Sequence, residues 1–126
     1  MIAADSSVLI AWFKGEAAQP QPIAVLMNAL RTRQLALPPV VVTELFAAPT
    51  LPPEHAEMVR NLQTLPLVHG YWERAGQLRS KVSGAGFKAR LGDVLVAQAC
   101  IDSDVPLIVS DRDFRHFTQH GLQLAT

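Results

Sequence analysis

Residues 1–15 read MIAADSSVLIAWFKG, and residues 105–114 read VPLIVSDRDF. Each stretch opens as a short apolar run that meets an acid. Met1–Ala4 runs into Asp5, and Val105–Val109 is followed, after Ser110, by Asp111. Apolar runs of this length suit strands buried on both faces. Directly behind Asp5, Ser6–Phe13 reads as a helix with Asp5 or Ser6 as N-cap and Gly15 beyond its end. A strand feeding straight into a helix points to a parallel sheet with helices on both faces. In such sheets the carboxyl ends of the strands form the ligand crevice, so Asp5 and Asp111 are expected there.

The rest of the chain keeps this alternation. A helix is expected from about Pro22 to Arg33, with Ile23, Leu26, Met27 and Leu30 at helical spacing, then a brief strand at Leu35–Leu37. Val40–Ala48 is apolar except for Thr43 and Glu44, and Pro49 ends it. Pro52–Pro53 opens a helix over about Glu54–Leu62. Leu65–His69 reads as a strand, and Tyr71–Val82 as a helix. Ser83–Gly92, with three glycines among cationic and aromatic residues, reads as a mobile basic loop. Asp93–Asp102 is apolar on most faces and reads as a buried helix. After the strand at Val105–Val109 come a turn or short helix at Asp111–Phe117 and an edge strand at Leu122–Leu124. The expected architecture is α/β, a three-layer sandwich around a central, mostly parallel sheet, in one domain spanning residues 1–126.

Composition excludes several classes. With 49% apolar and 17% charged residues in 126, the chain has enough core to fold and is not disordered. No apolar run approaches the roughly 20 residues of a membrane span. The N-terminus lacks a basic region and meets an acid at position five, unlike a signal peptide. The single cysteine, Cys100, allows neither an internal disulfide nor a cysteine zinc site. Cytoplasm is the expected compartment, with no membrane partner. Net charge is zero, yet it is unevenly spread. Arg74, Arg79, Lys81, Lys88 and Arg90 fall between residues 74 and 92 with no acid among them. All eleven acids lie elsewhere, against the other six basic residues. A basic segment beside an acidic body suits a site that handles a polyanion.

Two more acids stand in apolar surroundings. Glu44 lies between Val40–Val42 and Leu45–Phe46, and Asp93 opens the most apolar helix. A carboxylate there is costly unless it is paired, protonated or bound to a metal. Asp5 and Asp93 also read as helix caps, and Asp111 as turn chemistry. Glu44 has no such ordinary role, because no basic neighbour is at hand. Four carboxylates gathered in one crevice would favour a hard divalent cation with oxygen ligands, Mg²⁺ or Mn²⁺.

The stretches Ala4–Ala11, Thr43–Leu45, Gly92–Ala97 and Val109–Phe114, taken in order, resemble the four motifs of PIN-domain nucleases. Length and compactness are similar to the VapC-type toxins of prokaryotic toxin–antitoxin pairs. The resemblance implies that Asp5, Glu44, Asp93 and Asp111 form the catalytic acidic site, with Asp5 and Asp93 as direct metal ligands. Ser6 would support the first acid, and Asp113 would be the alternative to Asp111. The family often has a hydroxyl residue where Val109 stands, and threonine where Ser6 stands. The implied reaction is metal-dependent hydrolysis of an RNA phosphodiester, leaving a 5′-phosphate and a 3′-hydroxyl. Lys88 and Arg90 would clamp phosphate, with Arg74, Arg79 and Lys81 behind them, and Phe87 is either a base-stacking residue or a loop anchor. The implied partners are an RNA substrate (tRNA or another structured RNA), a cognate antitoxin and a second copy of the chain. Two other readings are a PIN-like RNA-processing nuclease without antitoxin and a non-catalytic PIN scaffold. A phosphatase fold would want a second aspartate at position 7, which is Ser7.

Overall fold

The computed structural model describes residues 1–15 and 19–126. In chain order its elements are β1 (Ile2–Ala4), α1 (Ser6–Phe13), α2 (Pro20–Arg31), β2 (Leu35–Leu37), α3 (Pro39–Phe46) and α4 (Pro53–Asn61). They continue with β3 (Gln63–Thr64), α5 (Tyr71–Gly84), α6 (Leu91–Ser103), β4 (Leu107–Ile108) and a 3₁₀ helix over Arg112–His120. The four strands form one parallel sheet in the order β3-β2-β1-β4. Leu35, Ala36 and Leu37 are all buried. Successive strand residues face opposite ways, so burial of all three means both faces are covered, as a three-layer α/β arrangement requires.

The core explains the helices. Val94, Val96, Ala97, Ala99 and Cys100 of α6 are buried, as expected for a helix apolar on most sides. Helix α6 packs on α3 and α5, and α1 packs on α2 and α3. Phe114 and Phe117 are fully buried and sit three apart, on one face of the 3₁₀ helix. Proline opens α2, α3 and α4, where its missing N–H costs nothing. Helix α2 consequently starts at Pro20 rather than Pro22, and it ends at Arg31 because Arg33 takes a left-handed φ of 56°.

Other boundaries depart further from expectation. The strand expected at Leu65–His69 lies instead at Gln63–Thr64, paired to Ala36–Leu37. Pro66 has no N–H to donate, and Leu67 and Val68 are exposed, so their apolar character marks surface rather than sheet. The Val105–Val109 strand contracts to Leu107–Ile108. Pro106 interrupts it, the Val105 amide donates to Cys100 O, and the Val109 amide donates to Thr126 Oγ1. The strand expected at Leu122–Leu124 is a single parallel bridge between Leu124 and Leu107. Part of the basic loop is helical: α5 runs through Gly84 and α6 begins at Leu91. What remains, residues 85–90, is fastened at two points and is not free. Arg79 Nε donates to Ala89 O at 2.9 Å, and the Phe87 ring stacks on His116 at 4.2 Å.

Candidate active site

The parallel pairing of β1 with β4 brings two strand ends side by side, and the Asp5 amide donates to Ile108 O. Asp5 thus stands at the carboxyl edge beside the segment that carries Asp111. Packing of α3 on α6 supplies the other two acids. Glu44 Oε2 lies 3.3 Å from where a Cβ on Gly92 would stand, so the carboxylate rests against the backbone just ahead of Asp93.

Electrostatics tie the four together. Asp5 is 6% exposed, and its pKa is raised, first by burial and to a smaller extent by Asp111. The Ser7 hydroxyl, which donates to Asp5 Oδ2 at 2.7 Å, opposes that rise, as do the nearby Ser6 and Ser7 amides. Glu44 is raised by burial and then by the charge of Asp5, with the Ser6 hydroxyl opposing. Asp93 is pushed up to about 6 by burial, then by Asp5 and Asp111; Arg90 opposes, and Glu44 adds to the rise. Among the described residues the ion pairs are Arg60–Glu57 and Arg74–Asp102, so none of the four acids has a basic partner in contact.

The ordinary roles account for only part of this. Asp5 precedes α1, and although the Ser6 and Ser7 amides lie near its carboxylate, neither closes a capping hydrogen bond of good geometry. Asp93 lies third in α6, where Arg90 holds the cap position. Asp111 does cap: its Oδ1 accepts from the Asp113 amide at 2.9 Å. Asp113 offers that amide, and its carboxylate is not among the charges acting on Asp5, Glu44 or Asp93. Glu44 Oε1 is buried without any hydrogen-bond partner. A buried, unpartnered carboxylate oxygen among three other acids is what a hard cation would satisfy. The donor set is all oxygen, which fits Mg²⁺ or Mn²⁺. Among the described residues, no three His, Cys, Asp or Glu side chains form a ready-made cage. Mg²⁺, which usually takes one or two carboxylates and completes its shell with water and phosphate, does not need one.

A model of the PIN domain family matches residues 2–119. The chain belongs to the PIN domain family. PIN domains are generally nucleases. Among solved structures, the chain is similar to VapBC2 from Rickettsia felis, crystallised bound to a DNA fragment from their promoter. That likeness has a TM-score of 0.68 at 17% identity, covering 98% of this chain and 97% of the other, and it concerns the fold. No curated protein matches the chain in sequence.

Within this PIN fold the basic residues sort into two groups. Arg74 is structural: it donates to both Asp102 oxygens, at 2.6 and 3.0 Å, and to His69 O at 2.7 Å. This removes it from the phosphate-binding set. Arg79 spends its Nε on the loop, whereas Lys81, Lys88 and Arg90 are exposed. The sequence reading missed Ser7, whose hydroxyl makes the hydrogen bond to Asp5 expected of Ser6, while the Ser6 hydroxyl acts to lower the pKa of Glu44. The helical phase of α1 separates these adjacent hydroxyls, and no local pattern reveals which one reaches back. Phe87 anchors the loop through its stack on His116. Burial raises the Cys100 thiol to about 12, and Asp5 adds to the shift, so it is no nucleophile.

Proposed function

We propose that this PIN domain, spanning residues 1–126, is a metal-dependent endoribonuclease that acts as the toxin of a toxin–antitoxin pair in the cytoplasm. The observation that carries the reading is the orphaned Glu44 Oε1 in a group of four acids that have no basic partner in contact among the described residues. Asp5 and Asp93 would hold Mg²⁺ or Mn²⁺, with Glu44 and Asp111 acting through water. When bound, such an ion supplies charge neutralisation at the phosphoryl oxygens and a water of lowered pKa. The chain's own residues do the rest. Ser7 fixes the Asp5 carboxylate, the Ser6 hydroxyl steadies Glu44, and the Asp113 amide orients Asp111. Glu44 and Asp111 stand ready to accept a proton from the attacking water. Lys88, Arg90 and Lys81 face the incoming phosphates, and Arg79 holds the loop that presents two of them. The products are a 5′-phosphate and a 3′-hydroxyl.

The antitoxin partner is inferred from the likeness to VapBC2. It is supported by an apolar hollow of about 150 Å³ that includes Ile10, Phe13, Leu45 and His55. The buried Nδ1 of His55 has no partner there. A second copy of the chain is the other expected partner.

The test is cleavage of total cellular RNA by the purified protein, freed of any partner, against Asp5→Ala and an EDTA control. Discrete fragments that need metal and vanish in the variant are expected. A folded, metal-loaded protein that leaves RNA intact would overturn the nuclease and favour a binding scaffold. A small reading frame upstream whose product silences the activity supports the antitoxin, and its absence favours RNA processing.

A further inference from the structure

A hollow of about 440 Å³ opens beside the acidic site and shares Asp111 with it. Its volume falls within the roughly 300–1,000 Å³ of small-ligand sites. Arg112 and Arg115 line one wall, and Pro20, Pro22 and Leu124 are on its lining as well. Both arginines are exposed, and among the described residues neither makes an ion pair or a side-chain hydrogen bond. Their spacing has structural meaning. A 3₁₀ helix has three residues per turn, so side chains at i and i+3 stack one above the other. Arg112 and Arg115 therefore form a single two-pronged cationic wall, while Phe114 and Phe117 of the same helix fill the core. Guanidinium groups bind phosphate in two-pronged fashion, and the prolines and Leu124 offer an apolar surface for a base.

We infer that this hollow is the subsite for the nucleotide adjacent to the cleaved bond. The flanking phosphate lies on Arg112 and Arg115, and the base lies against Pro20, Pro22 and Leu124. The inference rests on the nuclease reading above and adds positioning residues to it. Arg112 and Arg115 hold a neighbouring phosphate and take no part in bond breaking. With Lys88 and Arg90 on the loop before α6, they give the acidic cleft a second cationic rim.

Steady-state cleavage tests the inference on two substrates: an RNA oligonucleotide that carries the mapped cleavage site, and the dinucleoside monophosphate at its scissile bond, which keeps the adjacent base but lacks the flanking phosphate. For Arg112→Ala/Arg115→Ala, KM for the oligonucleotide should rise about tenfold with kcat little changed. Dinucleotide cleavage should stay the same. The charge-keeping Arg112→Lys/Arg115→Lys should recover part of the loss. Arg31→Ala/Arg33→Ala, a loss of equal charge elsewhere, should leave KM in place. An unchanged oligonucleotide KM in the alanine variant overturns the subsite while leaving the nuclease standing. The same holds if the Arg31/Arg33 control raises KM equally. If the wild-type protein cuts neither substrate, the nuclease reading and the subsite fall together.

Discussion

Asp93 feels three other carboxylates in a half-buried setting, and its pKa of about 6 lies above the ordinary 3.8. A carboxyl whose folded pKa is raised favours folding in its protonated form. Its contribution is therefore complete below about pH 4 and lost as pH climbs through about 6. Asp5 and Glu44 shift in the same direction. Metal-free protein should lose melting temperature between pH 4 and 6, and Asp93→Asn should flatten that decline. Millimolar Mg²⁺ should raise the wild-type melting temperature above pH 6 and do little at pH 5, where protons compete for the same oxygens. Thermal melts over this pH range, with EDTA and with Mg²⁺, check both; identical curves for wild type and variant would sink the coupled acidic site. Asp111 and Asp113 separate by the same kind of reasoning. Asp113→Asn keeps the amide that orients Asp111, so cleavage should survive within a fewfold, whereas Asp111→Asn should lose most of it. Equal losses in both would refute the division of labour.

At the scale of elements, the helix junctions decide what reaches the site. Gly92 lies second in α6, where alanine would ordinarily stabilise a helix by up to about 1 kcal/mol. A Cβ there would stand 3.3 Å from Glu44 Oε2, a tight approach at which the carboxylate must give by a few tenths of an ångström. Gly92→Ala should leave the melting temperature nearly unchanged but reduce Mg²⁺-dependent cleavage about tenfold, since small misplacements of catalytic groups are expensive. A fully active variant would show that Glu44 is not held there. Arg74→Ala should do the reverse. It leaves the buried Asp102 carboxylate with Gln98 as its one remaining side-chain donor among the described residues and lowers the melting temperature by several degrees, without altering how RNA affinity depends on salt. The sequence shows no such role for Arg74, because its partner lies 28 residues away. By contrast, Asp5 and Asp111 were legible because a strand ending in an acid is a local pattern, and Glu44 because an apolar run offers it no partner. The strand at β3 was illegible for the opposite reason: Leu67 and Val68 look like core and lie on the surface. The face shared by Arg112 and Arg115 was hidden too, since the alternating charges of residues 111–115 cancel until the 3₁₀ phase separates them.

Across the whole molecule, zero net charge conceals a separation of signs. Asp5 and Asp111 follow β1 and β4, Glu44 and Asp93 act on the same site, and cations lie on the loop before α6 and on the 3₁₀ helix. A polyanion meeting such a surface gains from each phosphate it seats and releases counterions in proportion. Of the five positive charges between residues 74 and 92, Arg74 is committed to Asp102 and Arg79 to the loop backbone. That leaves Lys81, Lys88 and Arg90 exposed and available to the RNA of the proposed function. Each single-strand phosphate contact contributes about 0.7 to the slope of log affinity against log salt. Lys88→Ala/Arg90→Ala should therefore flatten that slope by about 1.4 and weaken binding to unrelated RNA sequences about equally. Arg79 keeps its charge, but its Nε–H holds Ala89 O, so Arg79→Ala should act first through the loop and reduce cleavage more than the loss of one charge changes the slope. Filter binding between 50 and 300 mM salt resolves the two. A slope unmoved by the Lys88/Arg90 pair would place the phosphate path entirely on the 3₁₀ side of the cleft.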